Sequence, residues 1–257
     1  MNTGDKLLSI LQLYTVKKSE WTVEEAALEL GVSVSTAYRY FRSLCKIGLL
    51  DSFNSDAYVL GPGLIEYDRL MRVNDPMIKV GRAVMQRLIT RSGGTGIALL
   101  CRVYRNCVMC VHQEGDASPR NGVSYERGRP MPLFRGASSK IIFAHLPARS
   151  IRLFFERCPK DIAKAGLGSN WETLKANLRK IRKAGLVVAR GEVDQNLVGI
   201  AAPVFYPDKK IIGSITVVMM QSQASPQMVA NVSALVDAAG QEIHAGLLNL
   251  HGDTSSF

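Results

Sequence analysis

Two short amphipathic segments separated by the turn Gly31-Val32, between residues 22 and 60, constrain this chain more than anything else in it. TVEEAALEL reads as one helix with its apolar residues on a single face. Gly31 follows, at a tight turn where left-handed backbone is cheap only without a side chain. Ser33 then offers a hydroxyl N-cap to a second helix, SVSTAYRYFRSLCKIGLL. Helical spacing directs Val34, Ala37, Phe41, Leu44 and Cys45 to a core and leaves Ser35, Thr36, Tyr38, Arg39, Arg42, Ser43 and Lys46 outside. Gly48 can close that helix at a left-handed C-cap. Leu49-Leu50 and Tyr58-Val59-Leu60, around the polar DSFNSD, read as the strands of a wing. The pattern is a winged helix-turn-helix. Between Leu30 and Leu50 there are three positive charges and no acid. Hydroxyls near a helix start read base edges, and guanidinium groups hold phosphates. Ser33, Ser35, Thr36, Tyr38, Arg39, Arg42 and Lys46 are therefore the candidate contacts to double-stranded DNA. An amphipathic helix pair with a solvated basic face gives the same pattern without the DNA.

The formal net charge of +10 does not itself support DNA binding. Residues 1–75 hold 8 Lys+Arg and 10 Asp+Glu, so the excess lies in residues 76–257. There Lys175, Arg179, Lys180, Arg182 and Lys183 follow one helix and read as a solvated surface. At 257 residues and 47% hydrophobic content, two cores can form.

A first helix is expected at residues 5–14, and after Gly61-Pro62-Gly63 another that ends near Asn74-Asp75-Pro76. Residues 77–91 read as a helix, 95–103 and 107–113 as strands, and 115–132 as a loop rich in Gly, Pro and Arg. Helices are expected at 137–145, 150–157 and 170–184, strands at 186–189, 198–205 and 211–219, and a last helix from 226 towards 250. Grouped strands without strand–helix alternation indicate an α+β domain around an antiparallel sheet. Cytoplasmic localisation is expected: no signal-peptide pattern opens the chain, no apolar run is long enough to span a bilayer, and five cysteines lack a disulfide framework.

Few residues suggest chemistry. Cys101, Cys107, Cys110 and His112 carry sulfur and imidazole at suggestive spacing. Yet Cys107 and Cys110 lie on an expected strand and point to opposite faces, which suits neither redox nor zinc chemistry. Buried sulfur is the plainer reading. HExxH, GxSxG, P-loop and Rossmann patterns are absent, so no cofactor, metal or catalytic residue is assigned. The carboxylates Glu192 and Asp194 suit a turn or salt bridge, and His145 a structural role.

The order of parts resembles the IclR family of bacterial transcriptional regulators over nearly the whole chain. The resemblance rests on GVSVSTAYRYFRSLCKIGLL and YVLGPGL in the first half. GRPMPLFRGASSKIIFAHLP, WETLKANLRKIRKAGLVVARGE and GIAAPVFYPDKKIIGSITVV follow in family order. It implies a winged helix-turn-helix at 1–61, a linker helix at 62–75 and a GAF-like effector-binding domain at 76–251. It also implies homodimers or tetramers on palindromic operators, repressing or activating in response to a small organic or aromatic acid. Carried onto this sequence, the family pocket falls on Ala137, Ser138, Ser139, Glu192, Pro203, Thr216 and Val218. Backbone N–H groups at a helix start, with two hydroxyls, suit a carboxylate. Ser139 stands where the family usually has glycine and Arg135 where it has a small residue; Arg135 could pair with an acidic effector or narrow the pocket. The alternative is a GAF-like metabolite-binding or hydrolytic enzyme whose helix-turn-helix serves protein contacts.

Overall fold

The computed structural model describes residues 2–52, 56–94, 96–115 and 123–254. The chain divides into two compact units, Met1–Asn74 and Asp75–Phe257.

The first unit comprises α1 (Thr3–Leu13), α2 (Val23–Leu30), α3 (Val34–Lys46), the strands β1 (Leu50–Ser52) and β2 (Tyr58–Leu60), and α4 (Gly63–Asn74). Capping boxes start the first two helices, Asn2 with Asp5 and Thr22 with Glu25, each satisfying two otherwise orphaned backbone donors. Gly31 ends α2 at φ 61°, the left-handed conformation that glycine adopts without strain, and Ser33 caps α3 three residues into the new direction. Trp21, Ala26, Ala37, Phe41, Leu44 and Leu50 build the core on Ile10. Phe41 meets Tyr58 edge to face with ring centroids 4.8 Å apart, which fastens α3 to the antiparallel β1–β2 wing.

Two positions on α3 differ from the sequence expectation. Val34 is 48% exposed rather than core-facing, and Tyr40 is buried. The apolar stripe runs Ala37, Tyr40, Phe41, Leu44, at the i, i+3, i+4, i+7 spacing. Periodicity put Val34 on that stripe too. It stands at the first helical position, past the edge of the core, and borders an open cleft with Val23, Glu24, Tyr38 and Tyr58.

The second unit is three layers around one sheet. Its strands are β3 (Ile97–Tyr104), β4 (Cys107–Gly115), β5 (Pro130–Pro132), β6 (Val187–Arg190), β7 (Leu197–Phe205) and β8 (Ile211–Met220). They lie in the order β5-β4-β3-β8-β7-β6, every neighbouring pair antiparallel. Alternation assigns the faces. Ala98, Leu100, Ile215 and Val217 pack against α5 (Pro76–Arg91) and α10 (Pro226–Thr254). Leu99, Cys101 and Ala201 pack on the other side, towards α6 (Ala137–His145) and α9 (Trp171–Ala184). The helices α7 (Ala148–Arg157) and α8 (Pro159–Lys164) complete that layer. β8, covered on both faces, is buried along nearly its whole length, which is why its sequence is largely apolar, broken only by Gly213, Ser214 and Thr216. Neither β5 nor α8 was legible beforehand, each being too short to carry a period. The loop expected at 115–132 lies partly outside the described residues, as does Thr95.

Candidate DNA-reading helix and ligand cavity

On α3, Ser33, Ser35, Tyr38, Arg39, Arg42 and Lys46 are exposed, and Thr36 is half-buried. A small network orders the start of this face. The Ser33 hydroxyl accepts from the Thr36 N–H at 3.3 Å and donates to Thr36 Oγ1 at 2.9 Å. Arg39 Nη2 donates to the same Thr36 oxygen at 3.4 Å. Arg39, Arg42 and Lys46 follow at spacings of three and four residues and so share one face of the helix. No acid lies on α3; Glu24 and Asp56 border the cleft beside Val34 and Tyr38.

The second site is a cavity of about 30 Å³ at the start of α6. Val123, Ala189, Val193, Leu197 and Val218 form its apolar walls, and Ser138 and Thr216 supply hydroxyls 2.8 Å from one another. Tyr125 donates its phenolic proton to the Arg135 carbonyl at 2.9 Å, so Ser139 is the donor in their 2.7 Å contact. Burial raises the Tyr125 pKa and keeps the phenol neutral. All these hydroxyls are mutually satisfied.

The β6–β7 connection brings two carboxylates to the lining. Glu192 Oε2 accepts from the Gly136 N–H at 3.1 Å, and Glu192 Oε1 from Lys140 Nζ at 2.6 Å. Asp194 accepts from the Ser124 N–H at 3.0 Å and from its hydroxyl. Outside Glu192 lies a second, open cleft of about 730 Å³, bordered by Pro132, Phe134, Arg135, Lys164 and Glu192 itself.

Of the residues carried over by resemblance, Ala137, Ser138, Glu192, Thr216 and Val218 line the cavity. Ser139 stands behind it, through Tyr125. Arg135 belongs to the outer cleft, where its Nε donates to the Glu192 carbonyl. Pro203 is not a lining residue. It shares a face of β7 with Gly199, but four residues further along the strand carry it roughly 13 Å away. Sequence reasoning missed Tyr125, Ser124 and Lys140. Lys140 alone left a signal, as a cation one helical turn past Gly136.

The cysteines pair differently from their spacing. Cys107 is half-buried, and Cys110 stands opposite Cys101 across the β3–β4 ladder. Hydrogen bonding to Cys110, then burial, push the Cys101 thiol up. Among the described residues no cluster of three or more His, Cys, Asp or Glu could hold a metal.

A winged helix with a basic exposed face and an α+β unit with a small cavity at the start of α6 define the architecture of a two-unit transcriptional regulator. The comparisons agree. Residues 72–245 match the family model described as bacterial transcriptional regulator IclR C-terminal, and the chain belongs to the IclR family. It is similar to the HTH-type transcriptional regulator KipR of Bacillus subtilis (strain 168), 23% identical over 93% of this chain and 94% of that one. Its fold matches an IclR transcriptional regulator from Alicyclobacillus acidocaldarius at TM-score 0.74 and 21% identity, covering 95% of this chain and 98% of that one. An IclR homologue from Microbacterium hydrocarbonoxydans, solved in complex with 4-hydroxybenzoate, matches at TM-score 0.71 and 18% identity, covering 96% and 99%. The family and these relatives are transcriptional regulators rather than enzymes. No described helix is long and apolar enough to cross a membrane.

Proposed function

We propose that this protein is a cytoplasmic regulator that reads a palindromic operator through α3 and changes its DNA affinity when a small organic or aromatic acid enters the α6 cavity. The single observation that carries the DNA part is the ordered, acid-free face of α3, with Arg39 held on the Thr36 hydroxyl. The working division is 1–61 for the winged helix-turn-helix, 62–75 for the linker and 76–251 for the effector domain. The effector class rests on the α6 start and on the 4-hydroxybenzoate held by the Microbacterium relative. In the helix-turn-helix reading, Ser33, Ser35, Thr36 and Arg39 meet base edges, Tyr38 flanks them, and Arg42 and Lys46 hold phosphates.

Arg39→Ala should weaken operator binding by about 1–3 kcal/mol and relax specificity at one base pair. Lys46→Ala should weaken binding to all sequences evenly and flatten the salt dependence. Gel shifts with the DNA flanking its own gene measure both. Unchanged affinity in Arg39→Ala would remove α3 from the major groove.

Self-association is the second element. Ile65, Tyr67, Leu70, Met71 and Val73 on α4 are all exposed, and no residue of that helix is buried in its own chain. Of these, Tyr67, Leu70 and Met71, at i, i+3 and i+4, share one face, which fits pairing with a second copy. One reading helix covers only a few base pairs, so two copies on a palindrome supply the specificity. Light scattering at micromolar concentration should give a dimer or tetramer. A monomer alone, with and without DNA, would overturn this.

A further inference from the structure

Glu192 occupies the seat that an effector carboxylate would take. Its two oxygens accept from the Gly136 N–H and from Lys140 Nζ, at the first turn of α6. The loop that carries it is fastened again at Asp194 by Ser124, and between the fastenings Val193 forms part of the cavity wall. With Glu192 and Val193 in its lining, the cavity of about 30 Å³ has room for one or two waters. The cleft of about 730 Å³ on the far side could admit an organic acid, and Glu192 borders both spaces.

We propose that residues 191–196 form a carboxylate-latched lid, and that a small monocarboxylate opens it by replacing Glu192 on Lys140 Nζ and the Gly136 N–H, joining cavity to cleft. The proposal rests on the reading of this cavity as the effector site. The Lys140 side chain is only 12% exposed, so its ammonium is costly to leave unpaired. A neutral ligand that displaced Glu192 would strand that charge. A carboxylate restores it with the same charge-assisted hydrogen bonds, while an apolar tail gains contact with Val123, Leu197 and Val218. Arg135, bonded to the Glu192 backbone carbonyl, is a third fastening that opening must also release. The released loop leads directly into β7, inside the sheet, so the ligand favours one arrangement of the unit over another.

Arg190 is exposed immediately before the lid, and trypsin cleavage after it reports opening in the full-length protein. Without ligand, Glu192→Gln, nearly isosteric, should be nicked there faster than the native protein by on the order of tenfold, the worth of one charge-assisted hydrogen bond. Asp194→Asn, at the second fastening, should also accelerate it. Equal rates in native protein and both variants overturn the latch. Benzoate serves as the probe and benzamide as its uncharged counterpart. Benzoate should bind Glu192→Gln more tightly than native protein by calorimetry, benzamide should not, and Lys140→Met should lose the difference. If Glu192→Gln binds benzoate no better than native protein does, or no better than benzamide, the seat is not a carboxylate seat. NMR of the Val193, Leu197 and Val218 methyls separates the two readings. Benzoate bound without shifting them overturns the effector site itself; shifts with an unchanged nicking rate overturn only the lid.

Discussion

Phe41→Ala should abolish operator binding while leaving the second unit folded. Phe41 is fully buried between the turns of the helix-turn-helix and meets Tyr58 edge to face. Deleting such a ring removes its burial and leaves a cavity, typically about 3–5 kcal/mol. A unit the size of Met1–Asn74 has only roughly 4–11 kcal/mol to lose. The damage is also aimed: Phe41 holds α3 against β2, so the reading helix and the wing lose their common anchor. Calorimetry should show two transitions in the native protein, with the one belonging to the first unit lowered or lost in the variant and the other unmoved. Gel shifts should show no operator complex. A single transition displaced as a whole would mean that the two units unfold as one.

Gly213→Ala should do comparable damage to the second unit, by adding one methyl group. Gly213 lies on β8, between β3 and β7 in the sheet. A Cβ there would overlap the Cys101 carbonyl oxygen of β3 and approach Met77 Cε to 2.9 Å. The methionine end can yield, but the carbonyl belongs to the ladder. β3 and β8 must therefore separate at the Arg102–Gly213 end of the ladder between the two middle strands of the sheet. A cost above about 3 kcal/mol follows from overpacking with backbone displacement. Soluble yield and the midpoint of the second transition measure it, and a midpoint within a degree or two of native would show that the ladder accommodates the methyl.

The helix-turn-helix was legible because its information is local. Gly31, the Ser33 cap and the apolar stripe all lie within one stretch of chain, and periodicity misplaced only the edge, at Val34 and Tyr40. Among the described residues of the second unit, helices and long strands were legible for the same reason, and α6 falls on residues 137–145 as expected. The cavity was half legible. Tyr125, Gly136 with Lys140, the pair Glu192 and Asp194, and Thr216 with Val218 come from four distant segments. No spacing rule joins them, and resemblance supplied only the positions nearest its own motifs. The Arg135 guanidinium turns to a backbone carbonyl in the outer cleft rather than into the cavity.

The Thr36 hydroxyl, shared by Ser33 and Arg39, has an evolutionary corollary. One oxygen receives both neighbours, so the three side chains form a single unit rather than three separate letters. A change at Thr36 alone would free the guanidinium to sample several rotamers, and the ordering entropy now met on folding would fall on each encounter with DNA. Intermediates on the way to a new operator would then bind both old and new targets poorly. Substitutions at 33, 36 and 39 would have to arrive together or in a narrow order. In the proposed DNA reading, recognition at this corner of the helix would be epistatic, while Arg42 and Lys46 lie outside the network.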